Sequence, residues 1–108
     1  MTNPQFVAVY ITTSSKKEAE KIGELIIKER LCGCVNIIPS ITSIYWWKNK
    51  IEKNNESVII VKTRAALVNK LINFVKKHHS YDVPCINVMP ILQGNPEYLK
   101  WIEKETIK

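Results

Sequence analysis

No apolar run in the 108-residue sequence approaches the ~18 residues of a membrane-spanning helix. The N-terminal stretch MTNPQFVAVYITTSS has no basic segment ahead of its apolar run. Phe6 to Ile11 also falls short of the roughly 7–15 residues of a signal-peptide core, so a cytoplasmic protein is expected. Glycine is scarce, at three residues, and the only arginines are Arg30 and Arg64. That excludes the glycine-rich, arginine-supported phosphate loop of an acylphosphatase-type hydrolase. Cysteine is few and odd in number: Cys32, Cys34 and Cys85 make no complete disulfide framework. A bond between Cys32 and Cys34 would strain the backbone, so free thiols in a reducing compartment are the simpler reading. A structural zinc site needs wider cysteine spacing and a second ligand pair, and neither is evident. Nor does any spacing force a Ser-His-Asp or Cys-His pairing. No catalytic residue is assigned, and the protein is expected not to be an enzyme.

What is present suits one domain spanning residues 1–108. Hydrophobic residues make up 45% and charged residues 24%, an ordinary globular balance. A domain this small leaves much surface exposed and gains from association. The formal charge of +6 is spread from Lys16 to Lys108 among glutamates, with Lys16-Lys17 and Lys76-Lys77 the only adjacent pairs. That pattern reads as a solvated basic face, and no nucleic-acid partner is expected.

Apolar periodicity divides the chain. FVAVYIT (6–12) reads as a buried strand. In SSKKEAEKIGELIIKER, Ala19, Ile22 and Ile26 fall at helical spacing, with Ser14 or Ser15 as the cap. CVNIIPSITSIYWW (34–47) reads as a long strand, with Pro39 marking an edge, bulge or bend. IEKNNESVIIVKT forms its return arm, with Asn49 in the turn and a bulge or kink expected at Asn54-Asn55. RAALVNKLINFVKKHH is a second helix barred from continuing by Pro84. CINVMPIL (85–92) is a third apolar run, and EYLKWIEKETIK a short last helix. The order β-α-β-β-α-β-α predicts an α+β, ferredoxin-like βαββαβ sandwich with an extra C-terminal helix and a long central β-hairpin. One sheet face and the aromatic hairpin Tyr45, Trp46, Trp47 then lack cover within one chain, which predicts a homo-oligomer.

KKHHSYDVPC (76–85) concentrates chemistry: both histidines, a tyrosine, an aspartate and a cysteine. Imidazole suits copper and zinc. Adjacent helical residues point about 100° apart, so His78 and His79 share an ion only if the helix ends between them. His78 also continues the apolar stripe of its helix, as a structural residue would. On the central strand, SVIIVK lacks the stacking aromatics of an RNA-binding sheet.

The quoted stretches closely resemble the CutA family, the divalent-cation tolerance proteins. The resemblance lies in Cys34-Val35-Asn36 with Pro39; Ser43, Tyr45 and Trp47; Glu56 with Lys62-Thr63; His79, Tyr81 and Pro84; and Pro90, Gly94, Tyr98 and Trp101. It implies a tight PII-like homotrimer whose long hairpins, with Tyr45, Trp46 and Trp47, pair with the neighbouring subunit. It also implies tolerance of copper or another divalent metal ion, with His78 and His79 as metal ligands; Cys85, which is not the family's residue, would add a sulfur donor. Lys62, His79 and Tyr81 match positions that line an inter-subunit cleft, where a PII-like small-molecule sensor would bind its ligand. There are four departures. Asn49 replaces the usual turn glycine, Ser80 the usual proline after the motif histidine and Cys85 a common glutamate, and Ile11 stands where some members carry a proposed copper-binding cysteine.

Overall fold

The computed structural model describes residues 4–108. Met1 to Asn3, part of the stretch behind the leader argument, lie outside it. The elements are β1 (Phe6–Thr13), α1 (Lys16–Lys28), β2 (Cys34–Trp47), β3 (Lys50–Arg64), a 3-10 turn (Ala65–Leu67), α2 (Val68–His78), β4 (Ile86–Ile91) and α3 (Pro96–Glu105). The four strands form one antiparallel sheet in the order β2-β3-β1-β4, the ferredoxin-like arrangement that the element order predicts.

Strand alternation places the core. Val7, Val9 and Ile11 face the same way as their partners Thr63, Val61 and Ile59, and Val35 and Ile37 of β2 extend this face. Ala19, Ile22 and Ile26 of α1 and Leu71 and Val75 of α2 close over it. Each fully buried aliphatic side chain contributes about 1.5–3 kcal/mol. Gly23 lets α1 approach β2, since a Cβ there would sit 3.3 Å from the Val35 side chain. Ser15 caps α1, its hydroxyl accepting from the Glu18 N–H at 3.1 Å. The other end closes on Arg30, at φ 55°. The Arg30 and Leu31 N–H groups donate back to the Ile27 and Ile26 carbonyls, a Schellman cap that turns Leu31 into the core.

The hairpin turns through Lys48 and Asn49, both at positive φ, 49° and 65°. Such a two-residue turn matches the right-handed twist of its strands. The bulge falls at Pro39-Ser40, where register shifts between Ile38 and Ile41. Pro39 has no N–H for the ladder, and the Ser57 hydroxyl donates to its carbonyl at 2.7 Å. The bulge expected at Asn54-Asn55 is not there: these residues pair in register with Ser43 and Thr42. Their amides are satisfied across the hairpin, since Asn54 donates to the Tyr45 hydroxyl and Asn55 Oδ1 accepts from Ser40.

The sheet's other face is covered only at one end. There Ile102 of α3 packs on Gly33, where a Cβ would lie 3.1 Å from the Ile102 Cα, and the Arg64 Nε donates to Thr106. Ile38 and Met89 remain exposed on the sheet, and on the hairpin Ile44, Trp46, Trp47 and Ile51 are 63, 72, 57 and 65% exposed.

Candidate functional site

The end of β1, the start of α1, the root of the hairpin and the segment after α2 meet around His79. Helix α2 ends at His78, and His79 is extended, at φ −84° and ψ 142°. The helix thus stops between the two histidines, but their rings go separate ways. His78 lies exposed on the Phe74 ring, 4.4 Å between centroids, and its Nδ1 is 2.9 Å from the Phe74 carbonyl. His79 turns inward. Its Nε2 is 2.7 Å from the Thr12 carbonyl, and its Nδ1 accepts from the Tyr81 N–H at 3.0 Å.

Tyr81 packs on His79 with centroids 4.8 Å apart and donates its hydroxyl to Glu56 at 2.7 Å. Partial burial and the Glu56 carboxylate push the Tyr81 phenol above its usual range. Ser80 donates its N–H to one Glu18 oxygen at 2.8 Å, while the other accepts from the Ser14 N–H and hydroxyl at 2.9 and 2.8 Å. Partial burial opposes ionisation of Glu18, but the hydrogen bonds from Ser14 and Ser80 outweigh it and lower the carboxyl to about 2. A chain of polar contacts therefore ties four segments together.

Half-buried Cys85 joins the edge of this region through its carbonyl, which accepts from the Thr12 N–H, while its sulfur accepts from the Asn87 side chain at 3.6 Å. Lys62 sits elsewhere. It pairs with Ala8 and Cys34, four positions along β1 from Thr12, or about 13 Å at ~3.3 Å per residue. Its ammonium lies over the Tyr98 ring at 5.9 Å, and Trp101 stacks on Tyr98 at 5.6 Å. One chain thus brings His79 and Tyr81 together and leaves Lys62 apart, on β3 opposite Ala8 near the other end of β1. Tyr45 and Trp47 share one face of the hairpin, and Trp46, opposite Ile51, lies on the other.

Sequence reasoning missed Thr12 and Glu18. Glu18 carried a signal, because Ser15-x-x-Glu18 has capping-box spacing. Thr12 acts through its carbonyl, which no side-chain pattern marks. Among the described residues, no group of three or more His, Cys, Asp or Glu side chains is placed to hold a metal ion. Burial, then the neighbouring Cys34, pushes the Cys32 thiol up to about 12, which keeps it protonated.

By fold the molecule is a ferredoxin-like α+β sandwich, and by site it is one whose polar residues staple segments together. The CutA1 divalent ion tolerance protein family matches residues 7–105, so the chain belongs to that family. The divalent-cation tolerance protein CutA of Archaeoglobus fulgidus is 44% identical over 100 residues, covering 93% of this chain and 96% of that one. The chloroplastic CutA 1 of rice is 41% identical over 93% of this chain, which spans only 56% of the rice protein's length. The crystal structure of rice CutA1 matches with a TM-score of 0.95 at 39% identity, covering 100% of this chain and 99% of that one. No helix is long and apolar enough to cross a membrane among the described residues.

Proposed function

We propose that this protein serves divalent-cation tolerance as a cytoplasmic, non-catalytic homotrimer, with copper or another divalent ion as its ligand. The observation that carries this reading is the bare apolar surface of the hairpin, Ile44, Trp46, Trp47 and Ile51. Ile44, Trp46 and Ile51 share one face of the hairpin and Trp47 lies on the other; monomers in water rarely leave so much apolar surface uncovered, whereas neighbouring copies would bury it. The resemblance to the CutA family, which implies a PII-like homotrimer, supplies the number three. Three free cysteines fit a reducing compartment, and the protonated Cys32 thiol is not a nucleophile at neutral pH.

Both His79 nitrogens are engaged and the Cys85 sulfur already faces Asn87, so one chain does not close a metal site by itself. Metal contact in this reading is loose and exchangeable, and draws on the assembled protein. A second reading has its own support. Half-buried Lys62 makes no ion pair among the described residues and lies against Tyr98 and Trp101. That arrangement favours a small anionic molecule in an inter-subunit cleft, as in a PII-like signalling or scaffold protein.

The test replaces the chromosomal copy with the Trp46→Glu/Trp47→Glu double variant. Native mass spectrometry and growth in graded copper and zinc are then compared with wild type. A wild-type trimer, with both trimer and tolerance lost in the variant, supports the proposal. A wild-type monomer overturns it, and a variant that loses the trimer but keeps tolerance overturns the link between assembly and role.

A further inference from the structure

We propose that the groove between α2, the end of α1 and the C-terminal tail docks an acidic amphipathic helix of a partner protein. Its floor is apolar, made of buried Leu31 and half-buried Phe74 and Ile107. Exposed Lys70 and Lys77 flank that floor, and Glu29 is the one acid lining the groove. The volume is about 330 Å³, at the low end for binding pockets. The walls are fixed before any partner arrives. The Schellman turn at Arg30 holds the end of α1. Both arginines pin the tail: the Ile107 N–H donates to the Arg30 carbonyl at 3.0 Å, and the Arg64 Nη2 donates to the Ile107 carbonyl. Binding therefore orders little of this chain, which favours affinity.

Charge and spacing identify the occupant. From Arg64 to Tyr81 the chain carries Arg64, Lys70, Lys76 and Lys77 and no acid. Neither Lys70 nor Lys77 forms an ion pair among the described residues. They stand two helical turns apart on α2, about 10.5 Å at the helical rise, with Phe74 between them. A helix laid along α2 with acids at i and i+7 sets one against each lysine. An apolar residue at i+3 or i+4 then reaches the floor, the usual way a groove reads an amphipathic helix. A nucleic-acid backbone fits less well, because two lysines, a glutamate and an apolar floor make no continuous cationic track. A membrane also fits less well, since the apolar side chains lie at the bottom of the groove and do not project. Helices α1 and α2 cover the face of the sheet opposite the bare one. Assembly through the bare face and the hairpin leaves the groove open, and the inference is independent of any metal role.

The probe is a fluorescein-labelled, alanine-based helical peptide with glutamates seven positions apart and leucines three and four positions after the first. Fluorescence anisotropy measures its binding to the full-length protein, and amide and methyl NMR shifts map where it sits. Expected is saturable binding that weakens with salt, with shifts centred on Leu31, Phe74 and Ile107. Lys70→Glu/Lys77→Glu should weaken binding at least about tenfold, and Glu29→Gln should strengthen it severalfold. All three side chains are exposed, so both variants should keep the wild-type Tm. A scrambled peptide of the same composition that binds equally well overturns the proposal. So does binding that survives the double variant, a shift map centred elsewhere, or no binding to the wild type. Single-stranded DNA or phosphatidylserine vesicles that bind this face more tightly than the peptide, with the same loss in the double variant, overturn the choice of a protein partner. If the double variant does not fold, the wild-type shift map decides by itself.

Discussion

Glu18 connects three segments through one carboxylate: the end of β1 at Ser14, its own helix, and Ser80 beyond α2. Its carboxyl is lowered from 4.5 to about 2 in the folded protein. A carboxyl with a depressed folded value contributes stability that is complete above the unfolded value and disappears as pH falls toward the folded one. Glu18→Gln should therefore cost about 1 kcal/mol at neutral pH, a figure already reduced for partial exposure. The cost should vanish between pH 4.5 and about 2. Urea unfolding midpoints of both proteins across that range check this, and a pH-independent difference would refute it. At Cys32 burial holds the thiol protonated, so maleimide labelling of the native protein at pH 8 should leave Cys32 unmodified while the half-buried Cys85 reacts. Mass spectrometry of the peptides reads the outcome. At this scale the sequence was partly legible. The Ser15-x-x-Glu18 spacing announces the cap, and the histidine pair announces itself by composition. The direction each ring takes was not legible, because it depends on carbonyls of Thr12 and Phe74 that the fold places.

Elements followed their patterns where period and punctuation agreed. The Ala19, Ile22, Ile26 stripe and the serine cap make α1, and Pro39 makes the bulge. Asparagine is a weaker sign than proline. It disfavours a strand only when its amide finds no partner, and Asn54 and Asn55 both find one across the hairpin. The turn carries a cost, since Lys48 holds φ 49° without the freedom of glycine or asparagine. Replacing Lys48-Asn49 with Asn-Gly should stabilise the protein by about 0.5–1 kcal/mol, measured as a shift of the urea midpoint at constant m-value. Gly33 is constrained from the other side. With a Cβ 3.1 Å from the Ile102 backbone, Gly33→Ala should displace α3 and cost about 1–3 kcal/mol. Faster amide exchange across 96–105 would report the displacement, and an unchanged Tm would show that α3 yields freely.

For the whole molecule, stability belongs to the assembly if the hairpins and the open sheet face are buried between copies. Tm should then rise with protein concentration, because association favours the folded state by mass action. Calorimetric scans over a hundredfold dilution test this, and a constant Tm together with monomer mass would count against assembly. The order of elements, the alternation of β1 and β3 and the helical stripes were written in the sequence itself. Burial of apolar side chains at periods of 2 and 3.6 leaves one economical way to stack them, and the sandwich follows. Tertiary structure alone decided the site. It separated His78 from His79 by ending α2 between them, engaged His79 with β1 and Tyr81, and left Lys62 on β3, about 13 Å away along the sheet. Hydrogen bonds to backbone groups depend on where distant segments come to rest, and residue spacing carries no record of that.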